Sequence, residues 1–285
     1  MKGKTVCITG PNSGIGFYTA QELARQGARL ILGVRNRETG DATVARIRTA
    51  VPEAEAEVAT LDLSSRRSIE DFAEQVRRMA PRLDILINNA GVMGSVYTTT
   101  EDGFEQQIGI NFMGPYLLTR LLLDNLKAAP EPRVVHVSSA AHYGGKIDFE
   151  RFRSDKGRYK GMPAYAQSKL AVTLFASELA RRYPDIRSYS LHPGVVATRI
   201  VRSERNGWLF ALGWTLMRPF VLSPARGAKT SIYLATVAPP PEPNGQYFDE
   251  HQHPMKPSRL AQDEELARVL WERSEQFWKE AGAIF

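Results

Sequence analysis

The sequence predicts an α/β fold in which one doubly wound parallel sheet carries helices on both faces. Short runs of β-branched and aliphatic residues alternate along the chain with amphipathic segments of helical period. Three glycines fall within residues 10–16, between the first predicted strand and the first predicted helix. In a doubly wound sheet such a joint lies at the carboxyl edge, where ligands bind.

Each predicted strand is a short apolar run, and each predicted helix shows apolar residues at helical spacing. The predicted strands cover Thr5–Thr9, Leu30–Val34, Glu57–Leu61, Ile85–Ile87, Val134–Val137 and Ser188–Leu191, with a last strand around Tyr247 and Phe248. The predicted helices cover Ile15–Gln26, Asp41–Thr49, Ile69–Met79, Phe104–Leu126 and Pro163–Arg182, followed by a C-terminal helix with Leu266, Leu270 and Phe277 on one face. Every β–α unit is filled, so residues 1–285 are expected to form a single domain.

Composition narrows the class of protein further. Of 285 residues, 43% are hydrophobic and 24% are charged, as in ordinary globular proteins. The net charge of +6 is mild and spread along the chain, and no basic cluster is interleaved with aromatic residues, so a nucleic-acid partner is not expected. The single cysteine, Cys7, cannot form an intrachain disulfide, and no leader precedes the first strand. We therefore expect a cytoplasmic protein.

The longest apolar stretch does not predict a membrane span. It runs from Trp208 to Met217 and ends at Arg218, well short of the ~20 residues that a spanning helix needs.

The glycine-rich joint is a candidate phosphate-binding loop. Gly10, Gly14 and Gly16 would let the backbone turn sharply and let a pyrophosphate approach the helix N-terminus, where N–H groups attract anions. The alternative is a purely structural turn. The position between a strand and a helix favours the phosphate site.

Tyr165 and Lys169 form a candidate acid/base pair. Residues four apart on a helix share a face, so the two side chains should be neighbours. An ammonium beside the phenol would favour the phenolate and lower the pKa of the tyrosine. The alternative is a solvated helix face. Ser139 follows strand 5 at the ligand-binding edge and could stabilise charge on a substrate oxygen, and the adjacent Ser138 is the alternative at this position.

An ordered series of motifs resembles the classical short-chain dehydrogenase/reductase family. The motifs are Thr9-Gly10-x-x-x-Gly14-x-Gly16, Asp62-Leu63, Asn88-Asn89-Ala90-Gly91, Asn111, Ser138-Ser139, Tyr165-x-x-x-Lys169 and Pro193-Gly194 through Thr198. They span the chain from strand 1 to beyond strand 6. The long interval from Ser139 to Tyr165 and the ending at residues 261–266 are similar to the retinol-dehydrogenase-like branch.

The resemblance implies a Rossmann-type oxidoreductase that transfers hydride between a nicotinamide cofactor and an alcohol/carbonyl pair. It implies a catalytic set of Asn111, Ser139, Tyr165 and Lys169, in which Asn111 holds a water that links Lys169 to solvent. The implied cofactor contacts are Gly10, Asn12, Ser13, Gly14, Ile15, Gly16, Arg35, Asn36, Asp62, Leu63, Asn89, Ala90, Gly91, Tyr165, Lys169, Val196 and Thr198.

The end of strand 2 predicts that NADP(H) is preferred over NAD(H). An acidic residue there would bind the ribose diol of NAD and repel a 2′-phosphate. This chain has Val34 at that point and Arg35 next, whose planar guanidinium suits a phosphate. Ser13 weakens the prediction, because many NADP-preferring relatives carry Lys or Arg before the second glycine.

The substrate side is expected to be apolar. An apolar run with Trp208, Phe210, Trp214 and Met217 predicts a lid around 199–223 over a small lipophilic alcohol or carbonyl substrate. Packing against a partner subunit and peripheral contact with a membrane are the alternatives for this run. The segment 140–164 forms the other wall.

The histidines suggest no further chemistry. His142, in segment 140–164, is expected to be a structural or pocket-lining residue rather than an acid/base, since Tyr165 already fills that role. His251 and His253 lack the additional carboxylate or cysteine ligands of a metal centre, so no metal site is predicted.

Two other functions compete with this prediction. A catalytically weak dinucleotide-binding regulatory protein would not need the full set of Asn111, Ser139, Tyr165 and Lys169. A nucleotide-sugar epimerase or dehydratase on a related fold disagrees with the glycine spacing and the short C-terminal region.

Overall fold

The computed structural model describes residues 1–154, 159–196 and 222–284. Two of the predicted features lie outside these ranges. They are Thr198 and, apart from Leu222 and Ser223, the predicted lid around 199–223.

One sheet carries all the strands of the described residues. The strands are β1 (Thr5–Thr9), β2 (Arg29–Val34), β3 (Ala56–Thr60), β4 (Ile85–Asn88), β5 (Arg133–Val137), β6 (Arg187–Leu191), β7 (Tyr247–Phe248) and β8 (Pro254–Met255). Their order across the sheet is β3-β2-β1-β4-β5-β6-β7-β8. All neighbouring pairs are parallel except β7 and β8, which are antiparallel. The chain reverses its direction of winding between β1 and β4, which confirms the doubly wound fold and opens a crevice there.

Helices cover both faces of this sheet. They are α1 (Gly14–Arg25), α2 (Arg37–Ala50), α3 (Arg66–Met79), α4 (Gln106–Ile108), α5 (Gly114–Leu121), α6 (Leu123–Lys127), α7 (Gly161–Arg182), α8 (Pro224–Gly227), α9 (Lys229–Thr236) and α10 (Glu264–Glu280). Side chains from α1, α2 and α9 pack against one face of the sheet. Those of α3, α5, α7 and α10 pack against the other. The central strands β1 and β2 are almost entirely buried, so they appear in the sequence as mainly apolar runs.

The helix predicted over Phe104–Leu126 is wrong as one continuous element. A π-helical turn, Gly109–Met113, separates α4 from α5, and α5 ends at Leu121 before α6 begins. Pro115 explains the turn, because it has no N–H to offer the carbonyl of residue 111 and so breaks the regular ladder of hydrogen bonds. Asn111 therefore lies within the irregular turn.

Candidate active site

A cavity of about 610 Å³ lies at the carboxyl edge of the sheet. The ends of β1, β2, β4 and β5 and the start of α7 all contribute to its walls. It contains all of the predicted site residues except two. Thr198 is outside the described ranges, and Asn111 lies behind the wall formed by Val92 and Ile110. The sequence motifs therefore converge on one elongated site.

The glycine-rich loop is shaped for close approach to its backbone. Gly10 and Gly14 have φ angles of +65° and +56°, a region that side-chain-bearing residues rarely adopt. A Cβ on Gly16 would overlap the carbonyl oxygen of Gly10 and the amide of Asn89. Ser13 precedes α1 with extended backbone and makes no capping bond with its side chain. The loop thus places the N-terminus of the twelve-residue helix α1 at the cavity.

Thr9 and Asn89 fix the ends of the two central strands to each other. The Thr9 hydroxyl accepts hydrogen bonds from the backbone N–H groups of Asn89 and Ala90, at 3.1 and 3.0 Å. The Asn89 amide donates to the carbonyls of Thr9 and Gly10, at 2.8 and 3.1 Å. Sequence reasoning missed this role of Thr9. The position of Thr9 at the end of a buried strand was the feature of the sequence that could have indicated this role.

Tyr165, Ser139 and Lys169 meet at one end of the cavity. Both Ser139 and Tyr165 line this end, and the Ser139 hydroxyl acts to lower the pKa of Tyr165. The Lys169 ammonium lies 5.6 Å from the centre of the Tyr165 ring, so the two residues do share a helix face as the spacing predicted. Its own hydrogen bond goes to the Val137 carbonyl, at 2.9 Å.

Burial dominates the electrostatics of Tyr165 and Lys169 in the protein alone. Burial raises the pKa of Tyr165, and the hydrogen bond from Ser139 offsets only part of that effect. Burial also lowers the pKa of Lys169 to about 8. The phenol is therefore held in its protonated, proton-donating form at neutral pH. The lowering of the Tyr165 pKa by Lys169 together with an oxidised nicotinamide ring stays a prediction.

The two adjacent serines have different surroundings. The Ser138 hydroxyl is buried and bonded to α7, at 2.9 Å from both the Lys169 carbonyl and the Thr173 hydroxyl. The Ser139 hydroxyl accepts from the backbone of Ala141 at 3.2 Å and reaches Tyr165. Ser139 is the serine whose hydroxyl contacts the acid/base residue.

Asn111 joins two segments that border the site. Its side-chain oxygen accepts from the Val92 N–H at 2.7 Å, and its amide donates to the Val92 carbonyl at 2.9 Å. The same amide donates to the Ser168 hydroxyl at 2.9 Å, and Ser168 in turn donates to the Tyr165 carbonyl at 2.8 Å. The side chain of Asn111 thus connects the loop after β4 to the helix that bears Tyr165. Ser168 was not singled out in the sequence.

The far end of the cavity carries positive charge. Arg35 and Asn36 line it, and the Asn36 side chain also caps α2 by accepting from Thr39 N–H at 3.0 Å. Arg37 is bonded to the Asp41 carboxylate at 3.2 Å. Arg46 was missed in the sequence; its guanidinium stacks over the Phe17 ring at 3.9 Å and donates to the Asn12 carbonyl at 3.3 Å. Arg46 lies 34 residues after Asn12 in the chain, so sequence spacing alone does not reveal this contact.

Asp62 and Leu63 lie between the two ends of the cavity. The Asp62 carboxylate accepts from the backbone and the hydroxyl of Ser64, at 2.9 and 2.6 Å, and so shapes the turn that follows β3. Leu63 is buried and Asp62 is partly exposed in the cavity wall. On the opposite side, Val196 pairs with Leu222 in a short parallel bridge and lines the cavity.

The walls beyond Ser139 and Tyr165 are mainly apolar. Met93, Ala141, Met162 and Val195 line this part of the cavity. Met162 and Val195 are each 56% exposed. An apolar surface of this kind beside two hydroxyl groups suits a ligand with one polar oxygen and an apolar body.

A doubly wound sheet with this cavity defines the class of dinucleotide-binding α/β proteins. The family model of the short-chain dehydrogenases matches residues 4–207. The chain belongs to this family, whose members are oxidoreductases that act on CH–OH donors with a nicotinamide cofactor.

Two groups of relatives agree with this assignment. Retinol dehydrogenase 13 from Homo sapiens is 43% identical over 281 residues, covering 95% of this chain and 83% of the relative. Retinol dehydrogenase 12 from Mus musculus is 43% identical over 271 residues, covering 94% and 84%. The chain is thus retinol-dehydrogenase-like in sequence.

A solved structure is also similar along nearly the whole chain. The crystal structure of an uncharacterized protein from Mycobacterium paratuberculosis matches with a TM-score of 0.79 and 36% identity, covering 98% of this chain and 94% of that one. Within the described part of the chain, none of the helices is long and apolar enough to cross a membrane.

Proposed function

We propose that the protein reduces the carbonyl group of a small lipophilic aldehyde or ketone with NADPH, and catalyses the reverse oxidation with NADP⁺. The observation that carries this proposal is the meeting of Ser139, Tyr165 and Lys169 at one end of a cavity whose other end holds Arg35.

The residues present fit a dinucleotide. A Cβ at Gly16 would overlap the Gly10 carbonyl and the Asn89 amide, so a glycine at this position lets the loop pack closely and present the N-terminus of α1 to a pyrophosphate. Asp62, Leu63, Ala90 and Gly91 would hold the adenosine half and its ribose, and Lys169 the second ribose. Val196 and Thr198 would hold the nicotinamide carboxamide. When bound, the cofactor supplies or accepts the hydride.

The preference for the phosphorylated cofactor follows from charge. Val34 offers no carboxylate to the ribose diol, and Arg35 beside it offers a planar cation. Arg46, bonded to the backbone of the glycine loop at Asn12, adds a second positive charge at that end. Arg46 would supply the positive charge for a 2′-phosphate that the uncharged Ser13 does not supply.

The acid/base role falls to Tyr165. As hydride reaches the carbonyl carbon, the Tyr165 hydroxyl gives its proton to the substrate oxygen, and the two electrons of the C=O π bond form the new O–H bond. The Ser139 hydroxyl donates a hydrogen bond to that oxygen while charge develops on it. The phenol holds its proton at neutral pH, so Tyr165 can donate it to the substrate oxygen.

Asn111 is proposed to support the return of a proton to the site. It borders the Tyr165 helix through Ser168, and a water held near it would link Lys169 to solvent. Lys169 loses its proton more easily than an exposed lysine because burial lowers its pKa to about 8.

The proposed substrate class follows from the apolar wall of Met93, Ala141, Met162 and Val195. Retinol dehydrogenases, the relatives at 43% identity, bear the name of an alcohol of this lipophilic kind. A regulatory protein that binds a dinucleotide without turnover is the alternative, and nothing in the arrangement of Ser139, Tyr165 and Lys169 favours it.

A panel of carbonyl compounds tests the proposal. The purified protein is mixed with NADPH or NADH and with retinal, a long-chain aldehyde, a steroid ketone or a short hydrophilic ketone, and oxidation of the reduced cofactor is followed. We expect turnover with NADPH and at least one of the three apolar compounds, with a lower KM than for the hydrophilic ketone. The proposed substrate class is wrong if the hydrophilic ketone has the highest kcat/KM.

A further inference from the structure

We propose that His142 is a positioning residue, which fixes Ser139 for catalysis by tying its backbone carbonyl to the C-terminal segment at Ser258. The proposal rests on the proposed function, in which Ser139 contacts the substrate oxygen. His142 itself contacts neither substrate nor cofactor.

The two ring nitrogens of His142 have one backbone partner each. Nδ1 lies 2.8 Å from the Ser139 carbonyl oxygen, and Nε2 lies 3.1 Å from the Ser258 backbone nitrogen. A carbonyl only accepts and a backbone N–H only donates, so the proton must reside on Nδ1 and the lone pair on Nε2. The partners leave a single neutral tautomer of the imidazole.

The ring has no freedom to turn away from Ser139. His142 is completely buried. The rings of Tyr143 and Tyr247 lie 4.2 and 4.7 Å from it, centre to centre. Burial lowers the pKa of His142, and the nearby His192 lowers it further while the bond to Ser139 raises it. The neutral form that the two hydrogen bonds require is thus the form the surroundings favour.

The Ser139 turn needs such an external support. Ser139 begins the short 3₁₀ turn Ala140–Gly144, which is a weak element on its own. The bond to Ser258 joins it to a segment 116 residues later in the chain. Tyr143, beside His142 in the same turn, donates from its hydroxyl to the Lys256 carbonyl at 2.7 Å.

The same C-terminal segment also supports the opposite edge of the cavity. The Tyr247 hydroxyl lies 2.8 Å from Nδ1 of His192, and Nε2 of His192 lies 2.7 Å from the Glu250 carboxylate. His192 directly precedes Pro193 and Gly194, which line the cavity. Segment 247–258 therefore holds both loops that flank the substrate end, and His142 is its link to Ser139.

Three replacements of His142 separate positioning from packing. His142→Phe keeps the ring and removes both hydrogen bonds. His142→Asn places an amide N–H near the former Nδ1 and can still donate to the Ser139 carbonyl. His142→Gln places its amide near the former Nε2 and reaches only Ser258. Tyr143→Phe is the matched control, because it removes the neighbouring bond to Lys256 and leaves the bridge to Ser139 intact.

We expect His142→Phe to lower kcat by about 10- to 100-fold, since a small misplacement of a catalytic group costs up to about 10² in rate. The dissociation constant for NADPH should stay within about twofold, because the bridge touches only the substrate end. His142→Asn should recover part of kcat, whereas His142→Gln should not. Tyr143→Phe should keep kcat within about twofold of the wild type.

A double-mutant cycle with Ser139→Ala shows whether His142 acts through Ser139. In the Ser139→Ala background, His142→Phe should cause no further loss of kcat. Equal loss in both backgrounds, wild-type kcat in His142→Phe, or equal kcat in the Asn and Gln variants would each overturn the proposal. If His142→Phe does not fold, as judged by circular dichroism, the Asn and Gln variants carry the same test. If Ser139→Ala alone leaves kcat unchanged, the proposed function fails instead.

Discussion

The ammonium nitrogen of Lys169 lies 5.6 Å from the centre of the Tyr165 ring and bonds to the Val137 carbonyl rather than to the phenol. The pair is therefore close enough for the charge of Lys169 to act on Tyr165 once a bound cofactor changes the local field. In the protein alone, burial governs both groups, raising the pKa of the phenol and lowering that of the ammonium.

Replacing Tyr165 by Phe should abolish most of the turnover while leaving the cofactor in place. The ring remains in the cavity wall, so the dissociation constant for NADPH should change by less than about threefold, an energy below ~1 kcal/mol. The loss of the proton donor should lower kcat by at least about 10². Stopped-flow and fluorescence titration measure the two quantities, and a variant with wild-type kcat would exclude Tyr165 as the acid.

The buried ammonium of Lys169 should make stability depend on alkaline pH. Its pKa falls from 10.5 to about 8 on folding, so between these values the unfolded chain binds a proton that the folded chain does not. Stability relative to a Lys169→Met variant should therefore rise with pH through this window, by about 3 kcal/mol if the whole shift is expressed. Below pH 8 Lys169 is charged in both the folded and the unfolded chain. The free energy of unfolding of the wild type is then lowest relative to that of the variant.

Urea unfolding of both proteins at several pH values from 7 to about 11 measures this difference. The bond to Val137 that the variant loses adds a constant offset and leaves the pH dependence intact. Lys229→Met, which replaces an exposed lysine, is the control and should show no such trend. A difference between wild type and Lys169→Met that does not vary with pH would mean that Lys169 is not desolvated.

Cofactor preference should depend on Arg35. A charge-assisted contact with a phosphate contributes roughly 1.5–3 kcal/mol, or about 10- to 150-fold in affinity. We expect kcat/KM for NADPH to exceed that for NADH by at least tenfold, and Arg35→Ala to remove most of this margin by weakening NADPH alone. Joint Val34→Asp and Arg35→Ala substitution should turn the preference toward NADH. Equal use of both cofactors by the wild type would refute the assignment.

Arg46 makes a separate, smaller contribution in the same proposal. Arg46→Met keeps the apolar stem over Phe17 and removes the charge beside Asn12. The KM for NADPH should rise by about two- to fivefold and that for NADH should stay constant, in line with an exposed charge worth up to ~1 kcal/mol. An equal rise in the KM for NADH would mean that Arg46 only stabilises the conformation of the glycine-rich loop.

A residue without a Cβ should be essential at position 16 for binding of the cofactor. In Gly16→Ala the new methyl group would meet the Gly10 carbonyl and the Asn89 amide, both fixed by hydrogen bonds, so the loop must shift. The dissociation constant for NADPH should rise by at least about tenfold, as a misplaced phosphate loop loses more than ~1.4 kcal/mol. Gly144→Ala, where a Cβ meets nothing within 4 Å, is the control and should bind normally.

Much of the fold was predictable because its strands are buried on both faces. Ile85–Asn88 and Arg133–Val137 are fully buried and consist mostly of aliphatic residues, and their alternation with helices indicates a parallel sheet. The start of α2 at Arg37, four residues earlier than expected, depends on the cap from Asn36, which apolar periodicity does not register. The π-helical turn at Asn111 depends on Pro115, a local effect that the long apolar pattern hides.

The candidate site was predictable in its members and less so in its contacts. The motifs named Ser139, Tyr165 and Lys169, but the pKa of Tyr165 depends on burial, which only the tertiary structure determines. The bridge from His142 to Ser258 spans 116 residues and leaves no local pattern in the sequence. The expectation that His142 is structural agrees with its buried, doubly bonded ring.

Transfer of a labelled hydride tests the central claim most directly. The protein is mixed with NADPH that carries deuterium at either face of the reactive carbon and with an excess of a long-chain aldehyde, and the alcohol formed is analysed by mass spectrometry. We predict one deuterium per product molecule from one labelled face only, with the rate reduced at least about 10²-fold in Tyr165→Phe. An alcohol without deuterium from either face, or an equal rate in the variant, would contradict the account.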